Sequence, residues 1–320
     1  MIGSVPIVSP PLAASPPAAR SAARALAAAA LLLACLGVLA CLGVLAREAA
    51  PTASPAPLRV ATYNIRRFGC EPTDLDRLER ILRALDADVI AVQEIQSPPL
   101  VDELLARLSR GGRRWRSTLS ACGGRSEMHV GFLYDAARVE LGATREFPEL
   151  DEGGGGRCGE GERAGLLAEF SSGGRAITLL AVHLAAGASR DHAARRRMQW
   201  DRALAILARV SGAKALLGDT NSVGWLDDAE GERRFIDRRV AESGLELVTR
   251  PLACSEYFHA GEDRLEPSLL DHVAASPGLA RAGSIALHGY CVELGCRPSS
   301  EPPPAEFSTV SDHCPVSFEL

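Results

Sequence analysis

Six short apolar runs in this chain each end in, or abut, a polar side chain able to do chemistry. Asn64 closes Val60-Ala61-Thr62-Tyr63, and Glu94 closes Ile90-Ala91-Val92-Gln93. His183 follows Leu179-Leu180-Ala181-Val182, and Asp219 and Asn221 follow Leu216-Leu217-Gly218. Asp271 and His272 follow Leu269-Leu270, and Asp312 and His313 precede Cys314-Pro315-Val316. Any one of these alone reads as a turn, a cap or a satisfied core group. Six strand ends of the same kind read as a site, because α/β scaffolds carry their chemistry on strand-edge loops. Glu94, Asp219 and Asp312 are hard oxygen donors, and Asn64 and Asn221 are neutral ones. That donor set suits magnesium or manganese and not zinc or copper. Two histidines near such an ion supply an acid and a base for cleaving a phosphoester, each needing a carboxylate to orient its ring.

The elements that must position these groups alternate between strand and helix patterns. Strands are expected at residues 58–64, 88–93, 130–134, 166–170, 176–184, 215–217, 269–274, 284–287 and 316–320. Residues 74–85 place Leu75, Leu78, Ile81, Leu82 and Leu85 on one helical face, with Thr73 or Asp74 as N-cap. Further helices are expected at 99–108 and 192–210. Gly153 to Gly156 and the Gly173-Gly174 pair signal turns. The mixture of βα units and hairpins predicts an α/β protein with mixed sheets, and residues 58–320 read as one domain.

Composition agrees with a globular chain: 320 residues, 47% hydrophobic and 23% charged. The net charge of −5 offers no basic stripe for nucleic acid, although bound cations can screen an acidic site for a polyphosphate. The first 57 residues differ from the rest. Residues 1–24 are rich in Pro, Ala and Ser. Residues 25–46 are 22 positions without a charge, long enough to cross a bilayer. Residues 47–57 form a Pro/Ala linker. Arg20, Arg24 and Arg47 against Glu48 give this region +2, leaving −7 for residues 58–320. The positive flank predicts an exported, extracytoplasmic domain, either anchored in the membrane by residues 25–46 or released after signal cleavage. Cys35 and Cys41 each sit in a lipobox-like context, so a lipoprotein signal stays open as well. Export makes disulfides expected among Cys70, Cys122, Cys158, Cys254, Cys291, Cys296 and Cys314. Cys291 with Cys296 is the easiest pair, and the odd number leaves at least one thiol over.

Tyr63-Asn64-Ile65, Gln93-Glu94-Ile95, Val182-His183-Leu184, Gly218-Asp219-Thr220-Asn221, Leu270-Asp271-His272-Val273 and Ser311-Asp312-His313-Cys314-Pro315-Val316 occur in that order. In this the chain resembles the endonuclease/exonuclease/phosphatase superfamily, from about residue 58 to 320. The resemblance implies a four-layer α/β sandwich and phosphoester cleavage by a metal-activated water. It makes Glu94 the principal metal ligand, with Asn64 and Asp312 beside it. It makes Asp219 and Asn221 the pair that orients water and phosphate, His313 the catalytic histidine and Asp271 its carboxylate partner. His183 resembles the second histidine of the deoxyribonuclease-like branch, with Glu127 in the place of its partner, and Arg163 resembles a phosphate-binding arginine.

Gln96 and Arg125 stand where deoxyribonucleases of this kind insert a tyrosine and an arginine into the DNA minor groove, so the resemblance does not carry over to duplex DNA. Three functions compete: a nuclease, a lipid or sugar phosphodiesterase or phosphatase of sphingomyelinase type, and a non-catalytic binding module. Aromatic content of 5% and the absence of an aromatic-rich insertion favour the nuclease over a membrane-inserting lipid hydrolase. Glu94 and His313 are both present, which speaks against an inactivated fold. A monomer acting on a phosphodiester, with nucleic acid as substrate and Mg2+ or Mn2+ as cofactor, is the expectation.

Overall fold

The computed structural model describes residues 57–150, 161, 163–222, 229–261 and 264–320. The apolar segment 25–46 and its flanks, the turn expected at 153–156 and Cys158 lie outside the described residues. Among the described residues no helix is long and apolar enough to cross a membrane.

Two six-stranded mixed sheets form the centre. The first contains β1 (Arg59–Phe68), β2 (Val89–Ile95), β3 (Trp115–Leu119), β4 (His129–Asp135), β13 (Ala286–Leu287) and β14 (Val316–Glu319), in the order β13-β14-β1-β2-β4-β3. The second contains β5 (Glu140–Phe147), β6 (Gly165–Ser172), β7 (Arg175–His183), β8 (Lys214–Asp219), β9 (Glu246–Leu247) and β12 (Asp271–Ala275), in the order β5-β6-β7-β8-β12-β9. A separate hairpin pairs β10 (Glu256–His259) with β11 (Leu265–Ser268). The helices are α1 (Leu75–Leu85), α2 (Pro98–Leu108), α3 (Arg190–Ala208), α4 (Ala229–Glu242) and the short α5 (Tyr290–Glu293) and α6 (Ala305–Thr309). The parallel pairs β1–β2 and β7–β8 are each joined through a helix, α1 and α3 respectively.

Three apolar layers follow from the two-residue period of the strands. Val60, Val89, Ala91, Val130 and Phe132 of the first sheet meet Leu166, Ala168, Phe170, Leu179, Ala181, Ala215, Leu217 and Val273 of the second in one buried core. The rings of Phe132 and Tyr134 stand edge-on to Phe170 at 5.4 and 5.6 Å and pin the sheets together. The alternate residues of the first sheet, Ala61, Tyr63, Ile90 and Val92, pack against Leu78, Leu82, Val101 and Leu104 of α1 and α2. Leu180, Val182 and Leu216 of the second sheet pack against Trp200, Leu204, Ile236 and Val240 of α3 and α4. Helix, sheet, sheet, helix is the four-layer sandwich expected.

Helix α1 starts where its cap dictates: Asp74 accepts a hydrogen bond from the Arg77 backbone N–H at 2.9 Å. Helix α3 begins two residues before the expected 192, because Ser189 takes the capping role toward His192. Strand β5 was not expected. It is an edge strand, exposed along most of its length, so it lacks the apolar run that marks buried strands.

The disulfides correct one expectation. Cys291 does not pair with Cys296. Cys254 bonds to Cys296 and Cys291 to Cys314. The chain from Cys291 winds through a turn that closes with Cys296 N–H on the Cys291 carbonyl at 3.2 Å, which sends the two thiols to different neighbours. Cys122 is also disulfide-bonded, and Cys70 is an exposed free thiol.

Candidate active site

The inner rows of the sandwich run straight into the polar residues. Val60 and Thr62 lead by the two-residue period to Asn64. Leu179 and Ala181 lead to His183, and Ala215 and Leu217 lead to Asp219. Read from its other end, the row Ala275, Val273 leads to Asp271. In the second sheet His183 pairs with Asp219, and Asp219 with Asp271, so three of these groups form one row across β7, β8 and β12. The apolar core therefore ends in a polar rim at one edge of the two sheets.

Glu94 breaks the pattern. Gln93 occupies the inward position on β2, so alternation alone would turn Glu94 outward. The pairing of β2 is irregular there, and Glu94 adopts φ +62°, which re-aims its side chain to the site. Asn221, at φ +51°, is a second non-glycine residue held in the left-handed region, and such strain collects at functional positions. Gly218 (φ +140°) lies so close to β7 that a Cβ would stand 2.1 Å from the Val182 carbonyl, which brings His183 and Asp219 side by side.

Asp219 Oδ2 is the hub of the arrangement. Asn64 Nδ2 donates to it at 2.9 Å and to Glu94 Oε1 at 3.0 Å. His183 Nε2 lies 3.3 Å from Asp219 Oδ2 and 3.8 Å from Glu94 Oε1. His313 Nε2 lies 3.7 Å away on the other side, while its Nδ1 meets Asp271 Oδ2 at 2.8 Å. The second oxygens are fixed too: Asp219 Oδ1 accepts from Asn221 N–H at 2.8 Å, and Glu94 Oε2 from Arg67 N–H at 2.9 Å.

Neighbouring charges drive the two buried imidazoles apart. His183 is held well below the usual histidine value by burial, reinforced by the charges of Arg163 and His313, so it is neutral at pH 7. For His313, burial opposes the charged ring, but Asp271 and Asp219 outweigh it and raise its pKa well above the usual value. Burial pushes Asp219 up to about 7, against the pull of His313. Asp312 is raised by burial, and the charge of Glu94 acts on it in the same direction. Burial also pushes Glu256 up to about 8.

Of the residues named from sequence, Asn64, Glu94, His183, Asp219, Asp271 and His313 come together through direct side-chain contacts. Asn221 braces the loop after β7 by donating to the Leu184 carbonyl at 3.1 Å. Arg163 is buried, donates to the same carbonyl at 2.7 Å, and lies close enough for its charge to act on His183. Asp312 stands outside the closest cluster, which consists of Glu94, His183 and Asp219. Glu127 is not brought to His183. Its carboxylate is 74% exposed and lies 3.8 Å from His129 Nε2, while His183 Nδ1 has no hydrogen-bond partner among the described residues. Glu127 lies before β4 begins, in the left-handed conformation (φ +50°) that closes the 3-10 turn Gly124–Ser126, so the alternation of the strand does not reach it and its side chain turns to solvent.

Several supporting residues were not singled out from sequence. Ser311 donates to the Asn64 carbonyl at 2.7 Å and accepts from His313 N–H at 3.0 Å, tying β1 to the segment that leads into β14. Ser255 Oγ accepts from the N–H groups of Leu270 and Asp271. Arg196, fully buried, pairs with Glu232 at 3.0 Å and holds the carbonyls of Ala185 and Gly187 behind His183. Its signal was available: Arg196, Gln199 and Ala203 share the buried face of α3, and polar groups on an apolar face need a reason.

The donor set fits a hard divalent cation. Glu94, His183 and Asp219 each present a ligand atom, all within 4.8 Å of one another. His183 is neutral, as a ligand must be. Asn64 Oδ1 is buried without a hydrogen-bond partner among the described residues, on a side chain whose Nδ2 bridges two carboxylates. Carboxylates crowded in this way repel one another, and a bound cation would offset that repulsion.

Two facing mixed sheets, helices outside them and an acid–histidine cluster at one rim define a class of α/β-sandwich hydrolase scaffold. The sequence model of the endonuclease/exonuclease/phosphatase family matches residues 61–313, and the chain belongs to that family. Among solved structures it resembles D. rerio TDP2 in complex with a single-strand DNA product (17% identity, 82% of this chain and 98% of that one, TM-score 0.57). It also resembles a family member from Bacteroides vulgatus (16%, 82% and 98%, 0.57) and the human Nocturnin catalytic domain with bound sulfate (15%, 82% and 93%, 0.52). At these identities the likeness establishes the fold. No protein of curated function matches the chain significantly.

Proposed function

We propose that this protein is a divalent-metal-dependent phosphodiester hydrolase, and specifically a nuclease acting outside the cytoplasm with Mg2+ or Mn2+. The observation that carries the reading is Asp219 Oδ2, which is shared by Asn64, a neutral His183 and a charged His313 within 3.7 Å. Two imidazoles pushed to opposite charge states beside one carboxylate are an acid–base arrangement.

Glu94, Asp219 and Asn64 would hold the ion, with His183 and Asp312 at its margin. The ion supplies Lewis-acid polarisation of a phosphoryl oxygen and charge neutralisation. The chain's own residues do the rest. Asp219 and Asn221 orient the attacking water, with Asp219 poised to accept its proton. His313, kept protonated by Asp271, faces the phosphoryl group as a hydrogen-bond donor and proton source for the leaving oxygen. Arg163 contributes positive charge on the His183 side.

Nucleic acid is favoured as substrate over lipid by the surface. Among the described residues Val292 is the only exposed large hydrophobic side chain, too little to enter a bilayer. The single-strand DNA product bound by the TDP2 relative supports the same choice. Extracytoplasmic placement is supported by the apolar run at 25–46 and by the disulfides Cys254–Cys296 and Cys291–Cys314.

The test is hydrolysis of single- and double-stranded DNA, RNA and bis(p-nitrophenyl) phosphate by the purified full chain, with and without chelator. The expected result is cleavage with Mg2+ or Mn2+ that chelator abolishes and fresh metal restores. Chelator-resistant cleavage would remove the metal, and no cleavage of any diester would remove the function.

A further inference from the structure

One buried carboxyl group near the site has no part in the chemistry above. Glu256 opens β10 and is 7% exposed. Its backbone stands opposite His313 in an antiparallel bridge, framed by Cys314 N–H on the Ser255 carbonyl at 2.7 Å and Tyr257 N–H on the Asp312 carbonyl at 3.0 Å. On its other side Glu256 pairs with Ser268 of β11. Directly opposed residues project their side chains to the same face. Ser268, Glu256 and His313 therefore form one row, with the catalytic imidazole at its end.

The two oxygens of Glu256 differ. Oε2 accepts a hydrogen bond from Ser268 Oγ, which fixes the carboxyl group. Oε1 has no hydrogen bond among the described residues, and it is not one of the buried atoms sealed away from solvent. A largely buried acid thus keeps one acceptor pointing into accessible space beside His313.

Resting on the phosphodiesterase reading, we infer that Glu256, anchored by Ser268, forms a polar subsite next to His313 that accepts a hydrogen bond from a hydroxyl of the alcohol esterified to the scissile phosphate. With Oε2 engaged by Ser268, Oε1 is the oxygen left to accept; a phosphoryl oxygen has no proton to offer it, whereas a hydroxyl of the esterified alcohol has, so the subsite faces the alcohol portion of the diester. It makes the enzyme selective for hydroxyl-bearing groups, such as a ribose or a glycerol, over groups that carry no donor.

The experiment compares the metal-loaded full chain with Glu256→Leu and Glu256→Gln on three diesters: a diribonucleoside monophosphate, glycerophosphoglycerol, and bis(p-nitrophenyl) phosphate, which has no donor. The first two separate a nucleic-acid source of the hydroxyl from a lipid-headgroup source. Leu should lower kcat/KM on the preferred hydroxyl-bearing diester by about 10- to 100-fold, the range of a lost hydrogen bond to a buried polar group. It should change bis(p-nitrophenyl) phosphate turnover by less than about threefold. Gln, which keeps the volume and an acceptor oxygen, should lie between Leu and wild type. Equal losses on all three substrates, in the Gln variant as in the Leu variant, would overturn the subsite while leaving the hydrolase reading intact. A wild-type chain that cleaves none of the three, and no DNA either, would overturn both.

Discussion

Replacing Asp271 with Asn isolates the pair that sets the charge of His313. The perturbation is nearly isosteric and removes one negative charge 2.8 Å from Nδ1, in a site where both residues are fully buried. A hydrogen bond to a charged group contributes about 1.5–3 kcal/mol, which at about 1.4 kcal/mol per factor of ten corresponds to a loss of roughly 10- to 100-fold in kcat. If the amide turns its N–H to the ring the wrong tautomer is stabilised as well, and the loss moves toward the upper end of the roughly 10²–10⁴-fold worth of general acid–base catalysis. The pH profile is the more specific readout. Asp271 raises His313, so its removal brings the basic limb down in pH. In the metal-free protein the sign of the stability change follows from linkage. His313 has a folded pKa above its unfolded value near 6.5, so its contribution is complete below that pH and disappears as pH rises through the folded value. Asp271→Asn should thus cost more stability at pH 6 than at pH 9. The assay is bis(p-nitrophenyl) phosphate hydrolysis from pH 5 to 9 with excess Mn2+, beside thermal melts of the apo-protein. A kcat within threefold of wild type with the basic limb unmoved would refute the reasoning.

Three further outcomes are expected. Mn2+ affinity, measured by calorimetry, should weaken on going from pH 7.5 to pH 6, because the Asp219 carboxyl, with a value of about 7, then takes up a proton that the ion must displace; an affinity flat across that range would contradict its place in the metal cradle. Gly218→Ala should cut activity sharply and lower the melting temperature, since its Cβ would collide with the Val182 carbonyl between the two strands that present His183 and Asp219; a wild-type-like variant would show that this approach is not needed. Phe170→Ala should cost about 3–5 kcal/mol in urea unfolding by emptying the junction between the sheets, and a loss under about 1 kcal/mol would place the core elsewhere.

Much of this site was legible because a strand's two-residue period does not stop where its apolar residues do. Asn64, His183, Asp219 and Asp271 continue rows whose earlier members are Val, Leu and Ala, so their common face could be read from the pattern. Glu94 was legible as a strand-end carboxylate, but not its direction, which depends on a left-handed backbone at one residue. Glu127 shows the same sensitivity: it sits just ahead of β4 at the left-handed end of a 3-10 turn, and nothing in its neighbours' propensities marks that turn. The disulfides were illegible for a different reason. Proximity in sequence favoured Cys291 with Cys296, whereas the bonds depend on where β10 and β14 bring Cys254 and Cys314. Glu256 gave no local signal at all, because its neighbours in the site are residues 268 and 313, set by strand pairing.

Strand β1 lies between β2 and β14, so the earliest and latest strands of the described chain are hydrogen-bonded partners, Arg59 opposite Glu319. Asn64 on β1 and His313, which leads into β14, are 249 positions apart in sequence. The cluster at the rim therefore exists only while this pairing of distant segments is closed, and loosening β14 from β1 would part the imidazole from the carboxylates without disturbing the rest of either sheet.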